Sequence, residues 1–190
     1  MLYLSDKYPG AVGYAAAAHA EQDRKGTNIP YVSHVIAVSA LVIEHGGNEV
    51  QAIAALLHDV LEDCGACHGP VIGERFGPDV LKIVEALTDG VPDDRGVKPP
   101  WHERKAKYLA HLEHADLDVV LVSACDKLHN AMAIADDHAM IGDAVFARFS
   151  QPKSRTVWYY SELARIISGR LGAHHRLVRK LDLTLKRFVS

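Results

Sequence analysis

The chain has 190 residues and a mass of 20.8 kDa, which is the size of one domain. Hydrophobic residues make up 48% and charged residues 24%, as in a folded globular protein, and the net charge of −3 gives no general attraction to nucleic acid. No apolar run reaches the ~20 residues of a membrane span. Residues 1–10 lack a signal-peptide pattern, and three cysteines argue against a disulfide framework. We therefore expect a cytoplasmic protein that binds neither nucleic acid nor membranes.

Apolar residues recur every three to four positions along most of the chain, and no run alternates as a strand does. The sequence therefore predicts an all-α fold. The predicted helices, in chain order, cover residues 10–22, 33–45, 48–63, 69–76, 78–88, 100–114, 117–137, 141–149, 153–170 and 174–188. Asn48 suits an N-cap and Pro78 a first helical turn. The stretch Gly90–Pro100, rich in proline, glycine and charge, predicts an internal loop.

The end of the predicted helix 48–63 carries four polar groups, His58, Asp59, Glu62 and Asp63, in an otherwise apolar sequence. At about 100° per residue they share one helix face. Burying them without partners is costly, and a bound cation would remove that cost. A solvated helix face is the alternative interpretation.

Two further polar residues lie in apolar predicted helices: His34, and Asp126 with Asn130 one turn later. Taken alone, His34 suits a core or capping histidine, and Asp126 suits a capping or bridging carboxylate. Together with His58 and Asp59 they make two imidazoles and two carboxylates. Such a set suits a divalent cation such as Mn²⁺ or Fe²⁺, with coordination positions left for water and substrate.

These motifs, in this order, resemble the HD-domain superfamily of metal-dependent phosphohydrolases. The segments AHAEQDRKGTNIPYVSHVIAV, ALLHDVLED and DKLHN are similar to the hydrolase domain of RelA/SpoT proteins, and especially to the stand-alone small alarmone hydrolases. The similarity extends from about Ala15 to Ile167. It implies a single compact HD-type fold of about 8–10 helices over residues 1–170, with a basic amphipathic helix over 171–190 docked on it.

The resemblance also implies roles for individual residues. The implied metal ligands are His34, His58, Asp59 and Asp126, with Mn²⁺ as the cofactor. Glu62 and Asp63 would be the catalytic pair that organises the attacking water. The implied substrate-binding residues are Arg24, Lys25, Asn130, Arg155 and Tyr159.

Within the substrate-binding set, Tyr159 would stack on the base and Arg155 would meet a phosphate, while an ordinary core aromatic is the alternative for Tyr159. Arg104 and Lys105 match a basic pair of the family more loosely, and a solvated helix face suits them equally. The segment Asp137–Pro152 does not align well with the family pattern. Substrate preference is therefore the property that the resemblance determines least.

The implied activity is hydrolysis of the guanosine 3′-diphosphate alarmones ppGpp and pppGpp to GDP or GTP and pyrophosphate. The expected partner is thus a guanine nucleotide, and a homodimer is left open. One alternative is a related phosphohydrolase for another nucleotide, for example the phosphate of NADPH, and a second is an HD domain that senses a nucleotide without turnover. The synthetase domain of the long RelA/SpoT proteins has no counterpart in these residues, so we expect no alarmone synthesis.

Two remaining patterns have plain interpretations. Cys64–His68 reads CxxCH, the haem-attachment pattern, but a haem there would block the acidic pair and a zinc would lack a fourth ligand. We interpret it as a pair of thiols in a loop. The C-terminal helix carries an apolar stripe of Leu177, Leu181, Leu185 and Phe188, for which docking on the domain is favoured over an anionic membrane or partner.

Overall fold

The computed structural model describes residues 2–90 and 98–189. Its α-helices are α1 (Lys7–Ala18), α2 (Val32–Glu44), α3 (Glu49–Leu57), α4 (His68–Phe76), α5 (Pro78–Leu87), α6 (Trp101–Leu112), α7 (Leu117–Ile141), α8 (Lys153–Leu171) and α9 (Arg176–Leu185). A π-helix, Val60–Cys64, follows α3, and a 3₁₀-helix, Gly142–Arg148, follows α7. Among the described residues the β pairing is limited to one isolated bridge between Asp23 and Pro30, so the all-α prediction is confirmed. None of the described helices is long and apolar enough to cross a membrane.

The predicted helix 48–63 is wrong in its second half. It begins as expected, because the Asn48 side chain accepts a hydrogen bond from the Gln51 amide while the Gln51 side chain accepts one from the Asn48 amide. The α-helix then ends at Leu57, and His58 Nδ1 donates to the Ala55 carbonyl at 2.8 Å. A π-helix follows, and its turns are wider than those of an α-helix. The predicted α-helical spacing of 100° per residue therefore does not describe how His58, Asp59, Glu62 and Asp63 are arranged.

Two other predicted boundaries differ from the structure. Helix α1 covers Lys7–Ala18 rather than 10–22, because the chain turns after His19, whose carbonyl accepts a bond from the Gln22 amide. The predicted α-helix 141–149 is a 3₁₀-helix, because α7 continues to Ile141 and Gly142 ends it with a positive φ of 60°. The loop predicted over Gly90–Pro100 falls mostly on 91–97, which lie outside the described residues.

The core is centred on α2, α3 and α7, which pack against one another. Val35 and Val38 of α2, Leu57 of α3 and Leu128 of α7 are fully buried. These helices carry His34, Asp126 and the His58–Asp59 pair at their inner faces or ends. Core packing therefore brings together residues that are up to 92 positions apart in the sequence, from His34 to Asp126.

Helix α9 packs on α7 and α8. The four residues of its apolar stripe are buried, whereas Leu183 on the opposite face is 65% exposed. The cations lie toward solvent, and Arg187 Nη2 pairs with Asp136 at 2.7 Å. The division of the chain at residue 170 stays a prediction.

We expect Leu181→Ala to lower the free energy of unfolding by about 2–5 kcal/mol, because it removes a fully buried side chain from the contact of α9 with the core. The exposed Leu183→Ala, on the same helix, should change it by less than about 0.5 kcal/mol. Urea denaturation followed by circular dichroism measures both. Equal effects would show that α9 does not depend on this stripe.

Candidate active site

Four donor atoms meet at the centre of the fold. His34 Nε2 lies 3.2 Å from Asp126 Oδ1 and 3.6 Å from Asp59 Oδ2. His58 Nε2 lies 3.0 Å from Asp59 Oδ2 and 3.6 Å from Asp126 Oδ1. His34, His58 and Asp126 are buried and place their ligand atoms within 4.8 Å of one another, while the Asp59 side chain is 20% exposed. The structure thus brings together all four residues that the sequence singled out.

These positions suit a divalent cation. Donors bound at about 2.0–2.2 Å lie about 3.0–3.5 Å apart at angles between 90° and 109°, which matches the observed separations. His58 Nε2 is buried and has no hydrogen-bond partner, although it lies 3.0 Å from Asp59 Oδ2. A buried nitrogen that lies between two carboxylates without a hydrogen-bond partner is chemically suited to be a metal ligand.

The charges of the cluster favour a cation as well. Burial by itself lowers the pKa of His58, yet Asp59 and Asp126 raise it well above its ordinary value. Against the effect of burial, His58 and His34 hold the pKa of Asp59 well below its usual range. The same negative potential that raises the pKa of His58 attracts a metal ion, which competes with the proton on that imidazole.

Each donor is oriented by a second residue. The His58 Nδ1–H bond to the Ala55 carbonyl leaves Nε2 as the free nitrogen. Tyr31 Oη donates to Asp59 Oδ2 at 2.6 Å, and Asn130 Nδ2 donates to Asp126 Oδ1 at 2.6 Å. Lys127 Nζ donates to the other Asp126 oxygen at 2.5 Å. The tyrosine and the lysine are site residues that the sequence analysis missed, although both lie inside the motifs that it used.

His129 performs this role for His34. The two Nδ1 atoms lie 2.8 Å apart. Burial, with added effects of His34 and Arg24, lowers the pKa of His129 to about 4, so its ring is neutral and can accept a hydrogen bond. We assign the proton to His34 Nδ1, because that tautomer presents its Nε2 lone pair to the cluster.

The acidic pair Glu62 and Asp63 lies in the π-helix and lines a cleft of about 160 Å³ together with His58, Asp59 and Asp126. Lys98 Nζ donates to Glu62 Oε1 at 2.8 Å, and Gln22 Nε2 donates to Asp63 Oδ2 at 2.8 Å. Burial raises the pKa of Glu62, and the charge of Asp89 adds to this, whereas Lys98 opposes it. Glu62 and Asp63 therefore lie beside the four donors, and their hydrogen bonds are made to Lys98 and Gln22 rather than to those donors.

A second, larger cavity of about 500 Å³ adjoins this cleft. Tyr31, Lys105, Lys127 and Asn130 line both, so the two spaces are neighbours that share these four side chains. Arg24, Lys25 and Tyr159, which the sequence analysis assigned to substrate binding, line the larger cavity, and that assignment stays a prediction. The Arg24 guanidinium donates to Asn130 Oδ1 at 3.0 Å.

Two expectations for substrate-binding residues need qualification. Arg155 is exposed at the start of α8 and lines neither space. Tyr159 is buried, its ring lies 5.9 Å from that of Trp101, and its hydroxyl has no hydrogen-bond partner. It thus forms part of the core while also lining the cavity. Arg104 and Lys105 do not form a solvated face, because both are mostly buried and pair with the buried carboxylate of Asp89.

The CxxCH segment does not form a ligand cluster. Cys64 Sγ donates to the Ala18 carbonyl at 3.2 Å, and burial raises the pKa of its thiol. His68 Nδ1 is bonded to the Tyr14 hydroxyl at 2.6 Å. Among the described residues, one group of side chains has the geometry to hold a metal, and it contains neither cysteine of the motif, Cys64 or Cys67, nor His68.

Comparison with known proteins places this geometry in a family. The family model described as "HD domain" matches residues 11–152, which is most of the chain. The chain belongs to the HD-domain family. The resemblance stated from the sequence is thereby confirmed, and so is the single helical fold that it implied.

Among curated HD-domain relatives, the guanosine-3′,5′-bis(diphosphate) 3′-pyrophosphohydrolase MESH1 of Drosophila melanogaster is 36% identical over 131 residues, covering 67% of this chain and 69% of that protein. The GTP pyrophosphokinase rsh of Brucella ovis is 34% identical over 117 residues, which are 62% of this chain and only 15% of that protein. A solved structure titled as a metazoan orthologue of SpoT that hydrolyses ppGpp superposes with a TM-score of 0.74 and 28% identity. It covers 98% of this chain and 97% of that one. The HD domain implies a divalent metal, in agreement with the His34, His58 and Asp126 cluster.

We expect His129→Phe to weaken Mn²⁺ binding by about 10- to 100-fold, because phenylalanine keeps the ring volume but cannot accept the His34 Nδ1 proton. Calorimetric titration of metal-free protein measures the change. The exposed His114→Phe serves as the matched control. Unchanged affinity in His129→Phe would show that His34 is oriented without this bond.

Proposed function

We propose that this chain is a metal-dependent hydrolase of ppGpp and pppGpp that releases pyrophosphate and GDP or GTP. One observation carries the proposal: the cleft of the donor cluster lies beside a cation-lined cavity of about 500 Å³, and the two spaces share Tyr31, Lys105, Lys127 and Asn130. The identity to MESH1, whose name states this activity, supports the choice of substrate.

The proposed metal ligands are His34, His58, Asp59 and Asp126, and the proposed ion is Mn²⁺. Two imidazoles and two carboxylates suit Mn²⁺ and leave coordination positions open. A bound divalent cation would supply hydroxide near neutral pH by lowering the pKa of water, and would polarise the phosphoryl oxygen. The two carboxylates offset the charge of such an ion, so the departing diphosphate requires further cations from the chain.

Glu62 and Asp63 are proposed to hold the attacking water and to carry its proton. They line the cleft of the cluster but bond to Lys98 and Gln22 rather than to the ligands. The raised pKa of Glu62 suits this work, because a carboxyl whose pKa is closer to neutral accepts and returns a proton more readily.

The cations of the cavity are proposed to bind phosphate. Lys105 and Lys127 line both the cleft and the cavity, next to the position proposed for the 3′-diphosphate. Arg24 reaches the same place through Asn130. Preorganised cations in a site with little water stabilise the charge that develops as the P–O bond breaks. Tyr159 is proposed to contact the base.

A nucleotide panel tests the function. The protein, loaded with Mn²⁺, is incubated with ppGpp, pppGpp, NADPH and nucleoside 2′- or 3′-monophosphates, and phosphate and pyrophosphate are measured separately. Pyrophosphate from ppGpp and pppGpp supports the proposal. Phosphate from NADPH alone would replace it with the related phosphohydrolase, and tight binding of ppGpp without product would indicate a sensor.

We expect Asp59→Ala to abolish both bound metal and turnover, because the remaining ligands cannot hold an open divalent site well. Metal content is measured by mass spectrometry and activity by pyrophosphate release. Asp79→Ala, a surface carboxylate of α5, should retain both. Full activity in Asp59→Ala would contradict the ligand assignment.

Glu62→Gln is expected to retain the metal and to bind ppGpp, yet to lose about 10²- to 10⁴-fold in kcat, the usual contribution of a positioned acid or base. Glu103→Gln, on the exposed face of α6, is the control. Loss of metal would make Glu62 a ligand. Normal turnover would transfer the proton role to another group, with Asp63 the first to test.

A further inference from the structure

Arg148 lies in the segment that does not align with the family pattern, yet it lines the larger cavity. It ends the 3₁₀-helix after α7, and its guanidinium pairs with Asp137. The Arg148 side chain is 27% exposed and that of Asp137 is 42% exposed. Ion pairs this exposed contribute little to stability, so a stronger anion can displace the carboxylate.

The stem of Arg148 crosses the loop that carries Arg24 and Lys25. At Gly26 of this loop φ is +73°, and an added Cβ would lie 2.8 Å from Arg148 Cδ. Glycine is therefore required here both by the backbone conformation and by the close approach of Arg148. On the same side, Lys25 Nζ lies 6.0 Å from the centre of the Phe149 ring. Loop and 3₁₀-helix thus form one wall of the cavity, with Arg148 packed across it.

This wall is remote from the metal ligands. Asp126 and Asp137 both belong to α7 and are eleven residues apart, which is about 16 Å along a helix. Arg148 and Lys25 line the large cavity but not the cleft of the four donors, in contrast to Lys105 and Lys127. The cavity therefore has cations at two ends, one beside the cluster and one beside Asp137.

We propose that Arg148 binds the 5′-phosphates of the substrate at the end of the cavity away from the metal ligands, giving up Asp137 for them. This inference rests on the proposed function and adds a residue that determines specificity. A nucleotide phosphorylated at both the 3′ and 5′ positions has anionic groups at two ends, as the cavity has cations. The guanidinium fork suits paired phosphate oxygens. Arg155, which the resemblance assigned to a phosphate, lines neither space.

The test compares two substrates: ppGpp, and guanosine 3′-diphosphate with a free 5′-hydroxyl. Arg148→Met keeps the stem over Gly26 and removes only the charge. We expect it to raise KM for ppGpp by about 10-fold or more, with kcat nearly unchanged, and to leave KM for the 5′-hydroxyl substrate unchanged. Arg148→Lys should restore part of the preference. Lys153→Ala, a neighbouring surface cation outside both spaces, should alter neither KM.

Two different results would overturn the proposal. An equal rise of KM for both substrates would make Arg148 a support for the loop rather than a phosphate ligand. A selective loss in Arg155→Ala, with none in Arg148→Met, would return the role to Arg155.

A binding titration with GDP separates this proposal from the proposed function. GDP carries the 5′-diphosphate without the 3′-diphosphate, and its binding needs no turnover. Arg148→Met should weaken it by about 10-fold or more, and unchanged GDP affinity would refute the role of Arg148. If the wild-type protein bound GDP through Arg148 yet released nothing from ppGpp, the proposed function would fail while the phosphate site stood.

Discussion

The structure depends on one electrostatic constraint: two imidazoles and two carboxylates must share a nearly dry space at the centre of a helical core. Ionised groups are costly to bury unless each finds opposite charge and hydrogen bonds. The chain meets this requirement by drawing the four from α2, α7 and the junction after α3, with each imidazole Nε2 lying 3.0–3.6 Å from one oxygen of each carboxylate. Within this cluster, His58 Nε2 is buried and has no hydrogen-bond partner, although it lies between the two carboxylates where a cation would be held.

The same constraint shapes the surrounding residues. Tyr31, His129 and Asn130 each bond to one of the four donors, and Tyr31 and Asn130 also line the larger cavity. Asn130 is the clearest case, since it donates to Asp126 and accepts from Arg24. A single amide thus connects the cluster with a proposed phosphate-binding cation.

The charge that lines the larger cavity differs in sign from the net charge of the chain. The protein as a whole is weakly acidic, at −3, yet its cavity is lined by Arg24, Lys25, Lys105, Lys127 and Arg148. Burial lowers the pKa of Lys105, with a further contribution from Lys127, while Asp89 opposes both and keeps the ammonium paired. Acidic partners such as Asp89 and Asp137 hold these cations in place. An acidic protein can therefore present a positive cavity to a polyanion.

The sequence by itself determined the helical class and singled out the four residues of the central cluster. Apolar spacing predicted most helices, because burial of one helix face depends on local periodicity. His34, His58, Asp59 and Asp126 could be identified because polar residues inside apolar helices need a special partner. The tertiary structure decided what depends on neighbours from distant segments. The π-helix at Val60–Cys64, the Lys98 and Gln22 partners of the acidic pair, and the burial of Lys105 against Asp89 have no local signal. Tertiary structure also decides that Arg148 lines the cavity and Arg155 does not. Both are arginines near helix ends, and only the packing of α7, the 3₁₀-helix and the Gly26 loop distinguishes them.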